Sequence, residues 1–110
     1  MIDWHRVREL REEVGEEDFR EVAELFLEEV DEVVERLKTN PIKDKFESDF
    51  HFLKGSALNL GFAAFAAVCA DEERRAAKGE HDAINVQASL ECYAASRAQF
   101  LVQMESSNAA

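Results

Sequence analysis

From residue 17 to residue 38 the chain contains neither glycine nor proline, and Phe19, Val22, Phe26, Val30, Val33 and Leu37 recur at spacings of three and four. A helix repeats every ~3.6 residues, so this spacing draws one apolar stripe along a long helix. Glu21, Glu24, Glu28, Glu29, Glu32 and Glu35 fall mostly on the remaining faces and read as a solvated surface. The stripe is the inward face of a bundle helix, and other helices must cover it.

The punctuation of the chain supplies those helices. Residues 3–13 form a short first helix: Asp3 is placed to cap it, and Val7, Leu10 and Val14 share a face. Trp4 is expected to pack over one end of the bundle, and Gly15 to end the element. Thr39-Asn40-Pro41 breaks the long helix of residues 17–38. A third helix spans about 42–60 and Gly61 reverses the chain. A fourth spans about 62–78, with Phe65, Val68, Cys69 and Ala76 inward. Gly79 ends it. Asp82 then caps a fifth helix over about 83–105, with Val86, Leu90, Tyr93, Phe100 and Met104 inward, and residues 106–110 fray. The expected fold is all-α: an antiparallel up-down-up-down four-helix bundle with a short extra N-terminal helix, in one domain over residues 1–110.

Composition narrows the function. Only four glycines and one proline occur in 110 residues, which disfavours a turn-rich β fold. A net charge of −11 argues against nucleic acid or an anionic membrane as partner, because both select basic surfaces. No apolar run approaches the length of a membrane span, and no basic-then-apolar leader is present, so a cytoplasmic protein is expected. Cys69 and Cys92 lie about equally far from the turn near Gly79–His81, which would allow them to be neighbours, and both are expected to be buried free thiols. No metal-ligand set and no cofactor motif appears, and there is no Gly-rich phosphate loop or kinase motif set.

The chemistry concentrates in Phe50–Phe62, which reads Phe-His-Phe-Leu-Lys-Gly-Ser-Ala-Leu-Asn-Leu-Gly-Phe. His51, Lys54 and Gly55 share one helix face, while Phe46, Phe50, Leu53, Ala57 and Leu60 gather on another, roughly 140° away. The second face is core, so the imidazole should meet water. Gly55 costs a helix roughly 0.5–1 kcal/mol relative to alanine. Its missing side chain would let another molecule approach His51. An imidazole so exposed can accept a phosphoryl group, and Lys54 can meet the new charge.

His51, Leu53, Lys54, Gly55, Ser56, Leu60 and Gly61 together resemble the signature of the histidine phosphotransfer (HPt) domain family. The resemblance implies a four-helix bundle that exchanges phosphoryl groups between one histidine and the aspartates of response-regulator receiver domains, supplied by a hybrid histidine kinase. It implies a phosphocarrier without ATP-dependent kinase activity of its own, and bundles of this size are often monomers. Ser56 becomes a supporting residue, with Gly55 and Gly61.

Counting outward from the Gly61–Phe62 turn, His51 and Glu73 stand at equal distance and should lie at one height. Family members commonly place Glu or Gln there to orient the histidine. A carboxylate accepting from Nδ1–H would leave the Nε2 lone pair outward. Glu47, one turn before His51, is the other candidate orienter. Leu58 and Phe62, with Phe52, suggest a docking surface beside the histidine; packing against the N-terminal helix is the alternative for Phe52. The rival reading of the whole is a non-catalytic helical-bundle scaffold or interaction module.

Overall fold

A computed structural model describes residues 1–109, with side chains described to residue 105. All regular structure among them is helical: α1 (Trp4–Val14), α2 (Glu16–Thr39), α3 (Phe46–Leu60), α4 (Ala63–Ala77) and α5 (Val86–Ala109), with 3-10 turns at Lys43–Lys45 and His81–Ala83. Helix α2 packs on α3, α3 on α4, α4 on α5, and α5 back on α2, which closes a four-helix bundle; α1 lies across α2 and α3. No helix among the described residues is long and apolar enough to cross a membrane.

Local chemistry explains most boundaries. Asp3 accepts the Arg6 backbone N–H at 3.2 Å and caps α1. Gly15, at φ +89°, ends α1 and passes directly into α2. Two expected starts are corrected. Helix α3 begins at Phe46 rather than 42, because Ile42 after Pro41 is extended and a 3-10 turn intervenes. Helix α5 begins at Val86 rather than 83, and Asp82 does not cap it. Asp82 sits in the 3-10 turn and takes Lys43 Nζ at 2.7 Å. Ile84 is then extended, and the cap is Asn85, whose Oδ1 accepts the Ala88 N–H at 2.9 Å. Helix α5 continues to Ala109, past the end expected at 105, where a frayed tail was expected over 106–110; position 110 and the side chains of 106–110 lie outside the described residues.

The core runs the length of the bundle. Phe50, Leu53 and Leu60 of α3 meet Phe65 and Cys69 of α4, Val30 and Leu37 of α2, and Phe100 of α5, all nearly inaccessible to water. The fully buried line of α2 is Phe19, Ala23, Leu27, Val30 and Leu37, while Phe26 and Val33 are only partly covered. Helix α2 touches α1, α3 and α5, so its apolar surface is wider than one stripe and the buried line settles a residue to one side. Trp4 packs partly against the core, walling an open cavity of about 420 Å³ with Phe100 and Met104.

Polar ties fix the helices around that core. Asp31 of α2 accepts the Tyr93 hydroxyl at 2.6 Å and Arg97 Nη2 at 2.9 Å, both from α5. Arg36 of α2 pairs with the buried Asp49 of α3. Buried Glu72 of α4 pairs with Arg75 and accepts the Asn85 N–H at 3.0 Å, seating the start of α5. Cys69 and Cys92 are free thiols, but only Cys69 is buried; Cys92 is corrected to half-buried. Burial, with Cys92 nearby, pushes the Cys69 thiol up to about 12.

Candidate functional site

The site is built on the α3–α4 hairpin, and Gly61 makes the reversal possible. It adopts φ +80°, ψ 19°, the left-handed conformation that ends helices readily only with glycine. A side chain there would also collide with the backbone: an added Cβ would lie 2.7 Å from the Asp3 carbonyl oxygen. The N-terminal strand of chain is seated on this turn, with the Asp3 N–H donating to the Gly61 carbonyl at 2.6 Å and the Ala64 N–H to Met1 at 3.1 Å. Arg6 Nε donates to the Asn59 carbonyl at 3.2 Å. Gly61 is therefore a docking point for α1 as well as a helix stop.

The reversal brings α4 alongside α3 at the height of His51. The imidazole side chain is 70% exposed, on the opposite side of α3 from buried Phe46, Phe50, Leu53, Ala57 and Leu60. Its Nδ1 lies 2.8 Å from Glu73 Oε2. A carboxylate can only accept, so Nδ1 carries the proton and donates; in the neutral imidazole Nε2 then keeps its lone pair. Glu47 is exposed, and the imidazole's hydrogen bond goes across the hairpin to Glu73.

The other oxygen of Glu73 is also engaged. Lys54 Nζ stands 2.5 Å from Oε1 as an ion pair. Contact with Lys54, reinforced by the His51 hydrogen bond, holds the Glu73 carboxyl below its ordinary range against a smaller opposing effect of burial. One carboxylate thus joins the imidazole and the ammonium. The i, i+3 spacing of His51 and Lys54 puts them on one face; that both meet a single group on α4 required the structure.

The remaining site residues divide. Gly55 faces open space, with nothing within 4 Å of an added Cβ, so the surface beside His51 is unobstructed. Ser56 is buried on the core side. Leu58 and Phe52 are exposed, at 57% and 37%. Phe62 is corrected: it is 1% exposed and belongs to the core, not to a docking surface. It is the residue that enters α4, and the turn directs its ring against Phe100, 5.3 Å between centroids, and Tyr93, 6.2 Å.

The helical bundle thus presents one exposed imidazole, oriented through Nδ1, with a cation on the same face. The chain belongs to the Hpt domain family: the family's model matches residues 21–100. That family serves histidine phosphotransfer in phosphorelays. No curated protein and no solved structure gives a match. The matched region holds the whole His51–Lys54–Glu73 group and leaves out α1.

Proposed function

We propose that the chain is a phosphohistidine carrier in a phosphorelay, exchanging a phosphoryl group between His51 and the aspartate of a response-regulator receiver domain. The observation that carries this reading is the outward Nε2 of His51, fixed by the 2.8 Å bond from Nδ1 to Glu73 and flanked by the open surface at Gly55. A receiver would dock over exposed Phe52 and Leu58, whose apolar surface beside a reactive group suits a partner. The Nε2 lone pair attacks phosphorus, the acyl-phosphate P–O bond breaks, and the receiver recovers its carboxylate. Lys54 meets the transferred charge. The reverse transfer uses the same geometry. The chain has no ATP-dependent kinase activity; a hybrid histidine kinase supplies phosphoryl groups through its receiver domain, and the carrier acts in the cytoplasm as a monomer.

The test is phosphoryl transfer from a panel of phosphorylated receivers to the wild type and His51→Gln. Label that is stable to base, labile to acid and confined to the wild type supports the carrier. A helical protein that takes no label from any receiver, and none from a small-molecule phosphoryl donor, supports a scaffold instead.

A further inference from the structure

Lys54 is the cation expected to meet phosphate, yet in the unphosphorylated chain it is already bound to Glu73. Glu73 in turn holds the Nδ1 proton of His51. Two groups therefore share the one negative charge of Glu73. A phosphoryl group on Nε2 brings a second and stronger anion to the same face, within reach of a lysine one turn along the helix. It also repels the Glu73 carboxylate. Both effects favour moving the ammonium from Glu73 to the phosphoryl oxygens.

We propose that Lys54 is handed from Glu73 to the phosphoryl group, and that the unshared Glu73 carboxylate then retains the proton on Nδ1 of phospho-His51, keeping the ring a good leaving group. This inference rests on the carrier reading and deepens it. In the return step a receiver carboxylate oxygen forms a bond to phosphorus as the Nε2–P bond breaks, and the electron pair returns to Nε2. With Nδ1–H retained, the departing group is a neutral imidazole. With Nδ1 deprotonated it would be imidazolate, a far stronger base and a far poorer leaving group. Glu73 is thus a positioning residue whose charge is masked before transfer and unmasked after it.

Beside Glu73 and Lys54 stands the Cys69 thiol of α4, which burial pushes up to about 12 and so keeps uncharged at neutral pH; the nearby carboxylates are engaged elsewhere or exposed. From α4, Asp71 pairs with Arg74 and Glu72 with Arg75. From α3, Asp49 turns to Arg36 of α2, and Glu47 is exposed one turn before His51. Contact with Lys54 lowers the Glu73 carboxyl in the resting chain, as the shared arrangement requires.

The experiment uses the full chain phosphorylated with phosphoramidate. Loss of phosphohistidine is followed by phosphorus NMR across the neutral and alkaline range, in the wild type and Glu73→Gln. The amide preserves shape and an acceptor oxygen but removes the charge. The expected result is a profile displaced to lower pH by about one unit in Glu73→Gln, with about tenfold slower loss on the alkaline limb. The Lys54 ammonium resonance provides the second reading. Glu73→Gln should shift it in the unphosphorylated protein and leave it nearly unmoved in the phosphorylated one. Superimposable pH profiles, or a Lys54 resonance that answers to Glu73→Gln in both states, would overturn the hand-over while leaving the carrier intact. Failure of His51 to take phosphate at all would overturn both.

Discussion

Two carboxylates in this bundle do nearly the same chemistry with opposite consequences. Asp31 of α2 binds a hydroxyl and a guanidinium one helical turn apart on α5, Tyr93 and Arg97. Glu73 of α4 binds an imidazole and an ammonium at nearly the same spacing on α3, His51 and Lys54. Each ties two helices through one anion. The difference lies in what the anion holds. Tyr93 is 3% exposed, so its hydroxyl has nowhere else to go, and burial together with Asp31 raises its pKa. The His51 side chain is 70% exposed, and only one of its two nitrogens is used. The Asp31 arrangement spends its hydrogen bonds on the fold, whereas the Glu73 arrangement orients a nitrogen it leaves available. Solvent access, more than residue type, separates a tie that only holds helices together from one that leaves a nitrogen exposed.

The comparison can be broken by mutation. The largest stability effect should come from the core end of the hairpin. Phe62→Ala removes a ring packed on Phe100 and Tyr93, and should cost about 3–5 kcal/mol in urea unfolding. Leu58→Ala, on the exposed side, should stay within about 0.5 kcal/mol while slowing transfer from a receiver. Equal stability losses would put Leu58 in the core and remove it from the docking surface.

The two carboxylate ties come next. Tyr93→Phe should destabilise by about 1 kcal/mol, since it deletes a part-buried hydrogen bond and leaves Asp31 with Arg97. Glu73→Gln should change stability by less, but slow phosphoryl transfer by about tenfold, by analogy with the loss of partners that orient metal-bound histidines. If the two variants lost stability alike and Glu73→Gln kept full transfer rates, the contrast drawn above would fail.

Smaller effects follow from titration. The Glu73 carboxyl lies below its ordinary value in the folded chain, so its tie contributes stability above the unfolded carboxyl pKa and loses it as pH falls through the lower folded value. Carbon NMR of Glu73 should show a depressed midpoint in the wild type that rises in Lys54→Met. The Cys69 thiol has the opposite sign. Raised from 9.0 to about 12, it favours the folded state fully below the unfolded value, and that contribution disappears as pH rises through the folded value. At neutral pH a thiol reagent should modify half-buried Cys92 well before Cys69.

The motif face was legible in the sequence because helical spacing is strict. That His51 turns away from the face of Phe50 and Leu53 follows from counting, and so does the level pairing with Glu73 across Gly61–Phe62. The second engagement of Glu73 was not legible, because an i, i+3 lysine has several rotamers and only the neighbouring helix selects one. Phe62 was misplaced for a related reason: periodicity ends at a helix boundary, and the turn conformation decides where the first side chain beyond it goes. The signal available was its size, since a large aromatic residue entering α4 suits a core position. Asp82 was misassigned because capping chemistry also occurs in the residues leading up to a helix; Asn85, three positions on, was the better candidate once Ile84 is extended. Helix α5 also buries Ser89 and Ser96, which a purely apolar stripe does not include.

The central claim is that Glu73 occupies Nδ1 of His51 and leaves Nε2 as the phosphoryl acceptor. Nitrogen and phosphorus NMR of the chain, labelled by a phosphorylated receiver, identifies the bonded nitrogen directly. The account predicts a phosphorus–nitrogen coupling to Nε2 of His51, with Nδ1 still protonated. Coupling to Nδ1, or phosphate on any other residue, would contradict it.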